Sequence, residues 1–93
     1  MNKRDGAEVI ALRALGWIVG DATVLPLFLA AGGVELAALK SRAGDPVFLA
    51  GVLDFLLQED AWIIAFCDAE GLPYTAPQAA RQSLPGGAAT HWT

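Results

Sequence analysis

The sequence has 93 residues, 55% of them hydrophobic, and a net charge of −4 with six basic residues. A chain of this length forms one domain with a single core, which leaves no room for a large internal active-site cavity. Because proteins hold a nucleic-acid backbone with a basic stripe, the charge also argues against nucleic acid as a partner.

The first predicted helix covers residues 5–19. Its apolar residues recur at three- and four-residue steps, which is the spacing of one helix face. These residues form a single apolar stripe: Val9, Ala11, Leu12, Leu15, Ile18 and Val19. Gly20 and Asp21 end the helix.

Two short helices follow, over residues 24–31 and 34–43, with a pair of glycines between them. Thr23 is the predicted N-cap of the first, because that choice places Pro26 in the first turn, where its missing N–H costs nothing. The pair has the outline of a helix-turn-helix. A recognition helix, however, needs basic groups near its N-terminal turns, and here they stand at the far end.

The most hydrophobic stretch, PVFLAGVLDFLLQEDAWIIAF, covers residues 46–66. A membrane-spanning helix needs about 20 predominantly apolar residues, and a central carboxylate costs about 2.5–3.5 kcal/mol on insertion. This stretch contains three carboxylates. We therefore predict no membrane span but two helices, over residues 46–58 and from 59 or 60 to 70, joined by a tight corner.

The helix over residues 46–58 is apolar nearly all round, which is typical of a helix buried on most of its surface. Asp45-Pro46 marks its start, with a capping carboxylate followed by proline at the first helical position. One narrow face is small-sided and mildly polar, and it either meets water or lets another helix approach closely. This face carries Val47, Ala50, Gly51, Asp54 and Gln58.

A final helix is predicted over residues 76–84, with Thr75 and Gln78 as a capping box. A Pro-Gly-Gly triplet ends it, and residues 86–93 form a C-terminal tail. Abundant Gly and Ala and few β-branched residues also favour closely packed helices over sheet. The predicted fold class is all-α: the whole chain forms a single compact bundle of five or six short helices around the buried central helix at 46–58.

Cys67, Asp68 and His91 include the residue types of a nucleophile, a base and an orienting acid. Cys67 falls among the apolar positions of its helix, where a thiol behaves as a small hydrophobe. His91 stands close to the end of the sequence, after a glycine pair. We therefore assign no catalytic residue and no cofactor.

An alternative is a small metal-binding or metal-dependent enzyme module that uses the acidic residues within 54–70. Asp54, Glu59, Asp60 and Asp68 carry the carboxylate oxygens that hard divalent cations prefer. The spacing of an EF-hand loop and the E-x-x-H pattern of a di-metal bundle are missing from the sequence. Glu59 and Asp60 are also explained as favourable charges at a helix N-terminus. No metal ligand is assigned, and the alternative stays open, as does a carrier of an apolar ligand between helices.

Three tryptophans are many for a chain of this size. Trp17 and Trp62 stand at positions typical of a core or its edge, whereas Trp92 stands in the tail beside His91. We expect the tail either to fold back onto the helices or to dock on a partner; the alternative is a disordered tail. The candidate interaction surface comprises Leu25, Leu27, Phe28, Asp54, Trp62, His91 and Trp92.

The stretches FLAGVLDFLLQED, FCDAEG and LPGG, with a closing HW, resemble a family of short alphaproteobacterial proteins classed as a domain of unknown function. The resemblance covers most of the chain, from the first helix to His91-Trp92. It implies a bacterial cytoplasmic protein without an assigned activity, and it supplies no catalytic residues. It also implies that His91-Trp92 belong to the domain.

The leading hypothesis is a non-enzymatic protein-interaction module, because a lone bundle of this size cannot easily hide its apolar excess and exposed apolar patches mark association sites. The helix over 24–31 and the small face of the helix over 46–58 are the candidate contact surfaces. Residues 43–80 contain six acidic residues and no basic one, which would steer a basic protein partner. A symmetric homodimer is the simplest assembly. The single cysteine fits a reducing compartment, and we expect a cytoplasmic protein.

Overall fold

The computed structural model describes residues 3–85, which form six α-helices. They are α1 (Lys3–Val19), α2 (Val24–Gly32), α3 (Leu39–Arg42), α4 (Pro46–Leu56), α5 (Asp60–Glu70) and α6 (Ala76–Gln82), with a 3₁₀ turn at Leu36–Ala38 before α3. This described part of the chain contains no strand. The predicted all-α fold class is therefore confirmed, while the predicted tail at 86–93 lies outside the described residues.

Helix α4 is the centre of the core, as its composition predicts. It packs against α1 and α6, and α1 in turn packs against α2, α5 and α6. Seven residues of α4 are buried: Phe48, Leu49, Ala50, Val52, Leu53, Phe55 and Leu56. The hydrophobic stretch at 46–66 is thus split between two helices, as predicted, and the chain turns between α4 and α5.

A row of aromatic rings connects α2, α4 and α5. The ring of Phe28 meets Phe48 and Phe55 edge to face, with centroids 6.2 and 5.2 Å apart. Phe55 is in turn stacked on Trp62, at 4.8 Å and an interplanar angle of 22°. Offset stacks and edge-to-face pairs are the favourable arrangements of aromatic rings. The row therefore fixes the middle of α2 and the first turn of α5 against the central helix.

Helix α1 buries only half of the apolar stripe that the sequence predicts. Of that stripe Ala11, Leu15 and Ile18 are buried as expected, but three residues are each more than 40% exposed: Val9, Leu12 and Val19. Ala7 and Ala14, which lie outside the predicted stripe, complete the buried face. Alanine replaces the larger residues because its small side chain allows the backbone of α1 to approach its neighbours closely.

Asp45 caps α4 as predicted, and two threonines do not cap theirs. The Oδ1 atom of Asp45 accepts a hydrogen bond from the backbone N–H of Val47 at 3.0 Å. Thr23 and Thr75 make no side-chain cap bond, since their backbones are already helical, with ψ of −42° and −12°. An N-cap needs an extended backbone. At the start of α2 the acceptor is Asp21, whose Oδ1 receives the N–H groups of residues 23 and 24, both at 2.9 Å.

The prediction of a helix over residues 34–43 is wrong for the first half of that range. Gly33 takes a left-handed conformation with φ of 61°, and Glu35 is extended, with φ of −87° and ψ of 148°. Helical hydrogen bonding therefore begins later, with the 3₁₀ turn and the short α3.

None of the described helices is long and apolar enough to cross a membrane alone; the pair α1 and α2 passes that test jointly, but is bent by 117° at its break.

Candidate interaction surface

An open groove of about 340 Å³ lies between the C-terminal half of α2 and one face of α4. We call it the α2–α4 groove. It is lined by Phe28, Ala31, Gly32, Val34, Arg42, Val47, Phe48, Gly51, Val52, Asp54, Phe55 and Gln58.

The α4 side of the groove is the narrow face that the sequence predicts. Val47, Gly51 and Asp54 are separated by four and three residues, so they lie on one side of the helix. Val47 is 67% exposed. A Cβ placed on Gly51 would meet no atom within 4 Å, so the backbone there is open to close approach. Ala50, which the prediction also placed on this face, is buried in the core.

The two ends of the groove differ in charge. At one end the Arg42 guanidinium lies 5.0 Å from the centroid of the Phe48 ring, a cation–π contact. At the other end Asp54 lines the groove, and the exposed carboxylates of Glu59 and Asp60 follow directly after Gln58. The groove is thus positive at its Arg42 end and negative where α4 leads into α5.

Asp54 is tied to α6. Its Oδ1 accepts a hydrogen bond from Arg81 Nε at 2.6 Å, and Arg81 Nη1 donates to the carbonyl oxygen of Pro85 at 3.2 Å. One guanidinium therefore links the acidic end of the groove to the last described residue. By contrast, Glu59 and Asp60 form no ion pair within the described part of the chain.

The residues predicted for the interaction surface are placed at different depths. Leu27 is 51% exposed and stands one helical turn before Ala31, beside the groove. Leu25 is half-buried, and Trp62 is half-buried under its stack with Phe55. Phe28 is 5% exposed and lies in the core, with its ring against the floor of the groove. Asp54 is exposed at the rim. His91 and Trp92 lie outside the described residues.

The sequence reasoning missed Arg42 and Arg81 as parts of this surface. Arg42 lies in the last turn of α3, and its contact with Phe48 depends on the turn between α3 and α4. Arg81 stands 27 residues after Asp54, so no local spacing points to their contact. A lone basic residue facing a one-sign acidic segment is the one signal that could have suggested it.

The acidic residues of the metal alternative are engaged separately. Asp54 faces Arg81, and Asp68 accepts a hydrogen bond from the Tyr74 hydroxyl at 2.8 Å. Glu59 and Asp60 stand at the N-terminal end of α5. Within residues 3–85 no group of three His, Cys, Asp or Glu side chains is arranged to hold a metal ion.

Cys67 is a buried thiol, as its apolar neighbours in the sequence predict. It is fully buried, and its Sγ lies 3.4 Å from the carbonyl oxygen of Pro73. Burial, and then the nearby charge of Asp68, raise the pKa of the Cys67 thiol. The thiol is therefore neutral at pH 7 and poorly suited to nucleophilic attack.

A second open groove, of about 570 Å³, lies between α1 and α6. Small residues such as Gly6, Ala7 and Ala79 line it. None of the described residues in its walls carries a charge, so it offers less than the α2–α4 groove for orienting a bound molecule.

The family model described as "Protein of unknown function (DUF3572)" matches residues 4–87. A comparison with curated proteins and one with solved structures found no match. The predicted resemblance to a domain of unknown function is confirmed, while the alphaproteobacterial origin stays an expectation. Since the match spans nearly the whole chain, from α1 past the end of α6, the protein belongs to the DUF3572 family.

Proposed function

We propose that the protein acts as a protein-interaction module, with the α2–α4 groove as its contact surface and without a catalytic step of its own. The observation that carries the proposal is the groove itself, an open apolar cleft beside the exposed side chains of Leu27 and Val47. Apolar surface gathered in one place, with charged groups at its rim, is typical of an association site.

The shape of the groove favours a helical segment as its occupant. Gly51 lets a second backbone come close to α4, and the aromatic floor provides apolar contact for a side chain that projects from that segment. Amphipathic helices bind apolar grooves in this manner. The charges add a direction, because a basic group of the partner is favoured near Glu59, which has no cationic partner among the described residues, and an acidic group near Arg42.

Other features agree with an interaction role. The four acids of the metal alternative do not converge, and the buried Cys67 thiol is kept neutral. The acidic segment at 43–80 would raise the association rate of a basic partner. A cytoplasmic location is part of the proposal, since a single buried cysteine suits a reducing compartment.

Two glycine substitutions test the proposal. Gly51→Gln places a long polar side chain in the groove. Gly16→Gln in α1 is the matched control, because that glycine is also helical, exposed and without an atom within 4 Å of its Cβ. Glutamine has a higher helix propensity than glycine by up to about 1 kcal/mol, so both variants retain the fold.

The tagged full-length chain and both variants are incubated with lysate of the native cells, and captured proteins are then purified and titrated against each form. We expect Gly51→Gln to weaken binding of the purified partner about tenfold or more, while Gly16→Gln binds as the wild type does. Equal binding by all three forms, or no protein that binds after purification, the chain itself included, would remove the groove as a contact surface.

A further inference from the structure

Building on the proposed function, we infer that the occupant of the α2–α4 groove is a second copy of this chain, packed across a two-fold axis with the two α4 helices antiparallel. Most soluble oligomers are symmetric dimers whose contact patch is complementary to itself. The face of α4 meets that requirement in both shape and charge.

The shape requirement is met by Val47 and Gly51. They are one helical turn apart on the same face, one strongly exposed and the other without a side chain. A two-fold axis between them places Val47 of each copy over Gly51 of the other. A projecting residue then meets an open backbone twice, and the close approach buries the apolar floor of both grooves.

The charge requirement is met by Arg42 and Glu59. Arg42 precedes α4 and forms no ion pair with a carboxylate of the described residues; Glu59 follows α4 and likewise has no cationic partner there. In the antiparallel arrangement Arg42 of each copy faces the acidic end of the other, which matches opposite charges twice. A parallel arrangement would bring like charges together, which is unfavourable.

The exposed side of α1 is a weaker candidate for the same role. Val9, Leu12 and Val19 are exposed there as well. Two arginines on this helix are already paired within the chain, Arg4 with Glu8 at 3.4 Å and Arg13 with the α5 residue Glu70 at 3.8 Å. Nothing there selects an orientation, so the α1 side serves as the control surface.

A charge-exchange experiment tests the inference. Arg42→Glu and Glu59→Lys each turn both intermolecular pairs into repulsions, and a heterodimer of the two variants contains both attractive pairs again. Glu59 makes no side-chain cap bond, so its replacement leaves α5 in place. We expect sedimentation at low ionic strength to show a wild-type dimer, a dissociation constant raised about tenfold or more in each variant alone, and recovery in the equimolar mixture.

The outcomes separate this inference from the proposed function. A wild-type chain that sediments as a monomer overturns the dimer inference. If Gly51→Gln then weakens the binding of a purified protein other than this chain, the proposed function is still supported. A monomer in which a thiol introduced by Gly51→Cys reacts faster once Trp92→Ala is added assigns the groove to residues 86–93 and also overturns the inference. The inference is also overturned if the equimolar mixture of the two charge variants does not dimerise. The same holds if Leu12→Arg on the control surface dissociates the dimer.

Discussion

Helices α4 and α1 pack against each other in the core, but they differ in the share of large side chains that they bury. α4 buries large residues such as Phe48 and Leu53 and turns Gly51 outward. α1 buries Ala11 and leaves Leu12 outside. Which residue of a helix faces the core is therefore decided by how closely the neighbouring helices approach, as well as by hydrophobicity. In α1 three alanines lie on the buried side together with Leu15 and Ile18, whereas in α4 the glycine lies where the groove is open.

Leucine truncation is the strongest test of this difference. Leu53 is fully buried, and we expect Leu53→Ala to lower the free energy of unfolding by about 2–5 kcal/mol, because it removes core contacts and leaves a cavity. Leu12→Ala is the matched control at 42% exposure, with an expected loss below about 1 kcal/mol. Chemical denaturation measures both. Equal losses would mean that the two leucines are equally buried and that the contrast between the helices is false.

Enlarging the buried alanines tests the same contrast from the other side. Ala11 is fully buried in α1, so we expect Ala11→Leu to cost about 1–3 kcal/mol by overpacking. Val9→Leu on the exposed side of the same helix adds one methylene group and is expected to change stability by less than about 0.5 kcal/mol. If Ala11→Leu instead raised the midpoint of thermal unfolding, α1 would not lie as close to its neighbours as described.

The sequence predicts α4 more successfully than α1 for a physical reason. A helix that is apolar nearly all round has little choice of face, and the local signal at Asp45-Pro46 defines its start. α1 offers two apolar faces, one of large residues and one that combines alanines with Leu15 and Ile18, and the choice between them depends on the distance to α4 and α6. That distance is set by the packed structure and has no local signature.

The candidate surface is likewise predictable from the sequence only in part. The α4 side of the groove follows from helical spacing, which puts Val47, Gly51 and Asp54 on one face. The charged rim does not, because Arg42 depends on a turn, and the contact between Arg81 and Asp54 joins residues far apart in the chain. Spacing predicts which residues share a helix face, but it cannot predict which other helix that face meets.

The helix starts give a smaller comparison between α4 and α2. We expect Asp45→Ala to cost about 1 kcal/mol, because the N–H of Val47 loses its acceptor. Asp21→Ala is expected to cost a similar amount through α2, whereas Thr23→Ala, which removes no cap bond, changes stability by a few tenths. Denaturation of the three variants ranks them. If Thr23→Ala lowered the free energy of unfolding as much as Asp21→Ala does, the threonine would be the cap of α2 after all.

The smallest expected effect concerns α5, where the buried Cys67 thiol makes stability depend on alkaline pH. Its pKa is raised above the ordinary value of 9.0, so the folded chain keeps a proton that the unfolded chain releases. The stability that this provides is complete below about pH 9 and is lost as the pH rises through the folded pKa of Cys67.

We expect the unfolding free energy of Cys67→Ala to fall less steeply than that of the wild type between pH 8 and 10. Tyr74→Phe is the necessary control, because the hydrogen bond from its hydroxyl to Asp68 raises the Tyr74 pKa and acts in the same direction. Parallel curves for the wild type and Cys67→Ala would show that the thiol titrates alike in both states, which is incompatible with its burial in the core.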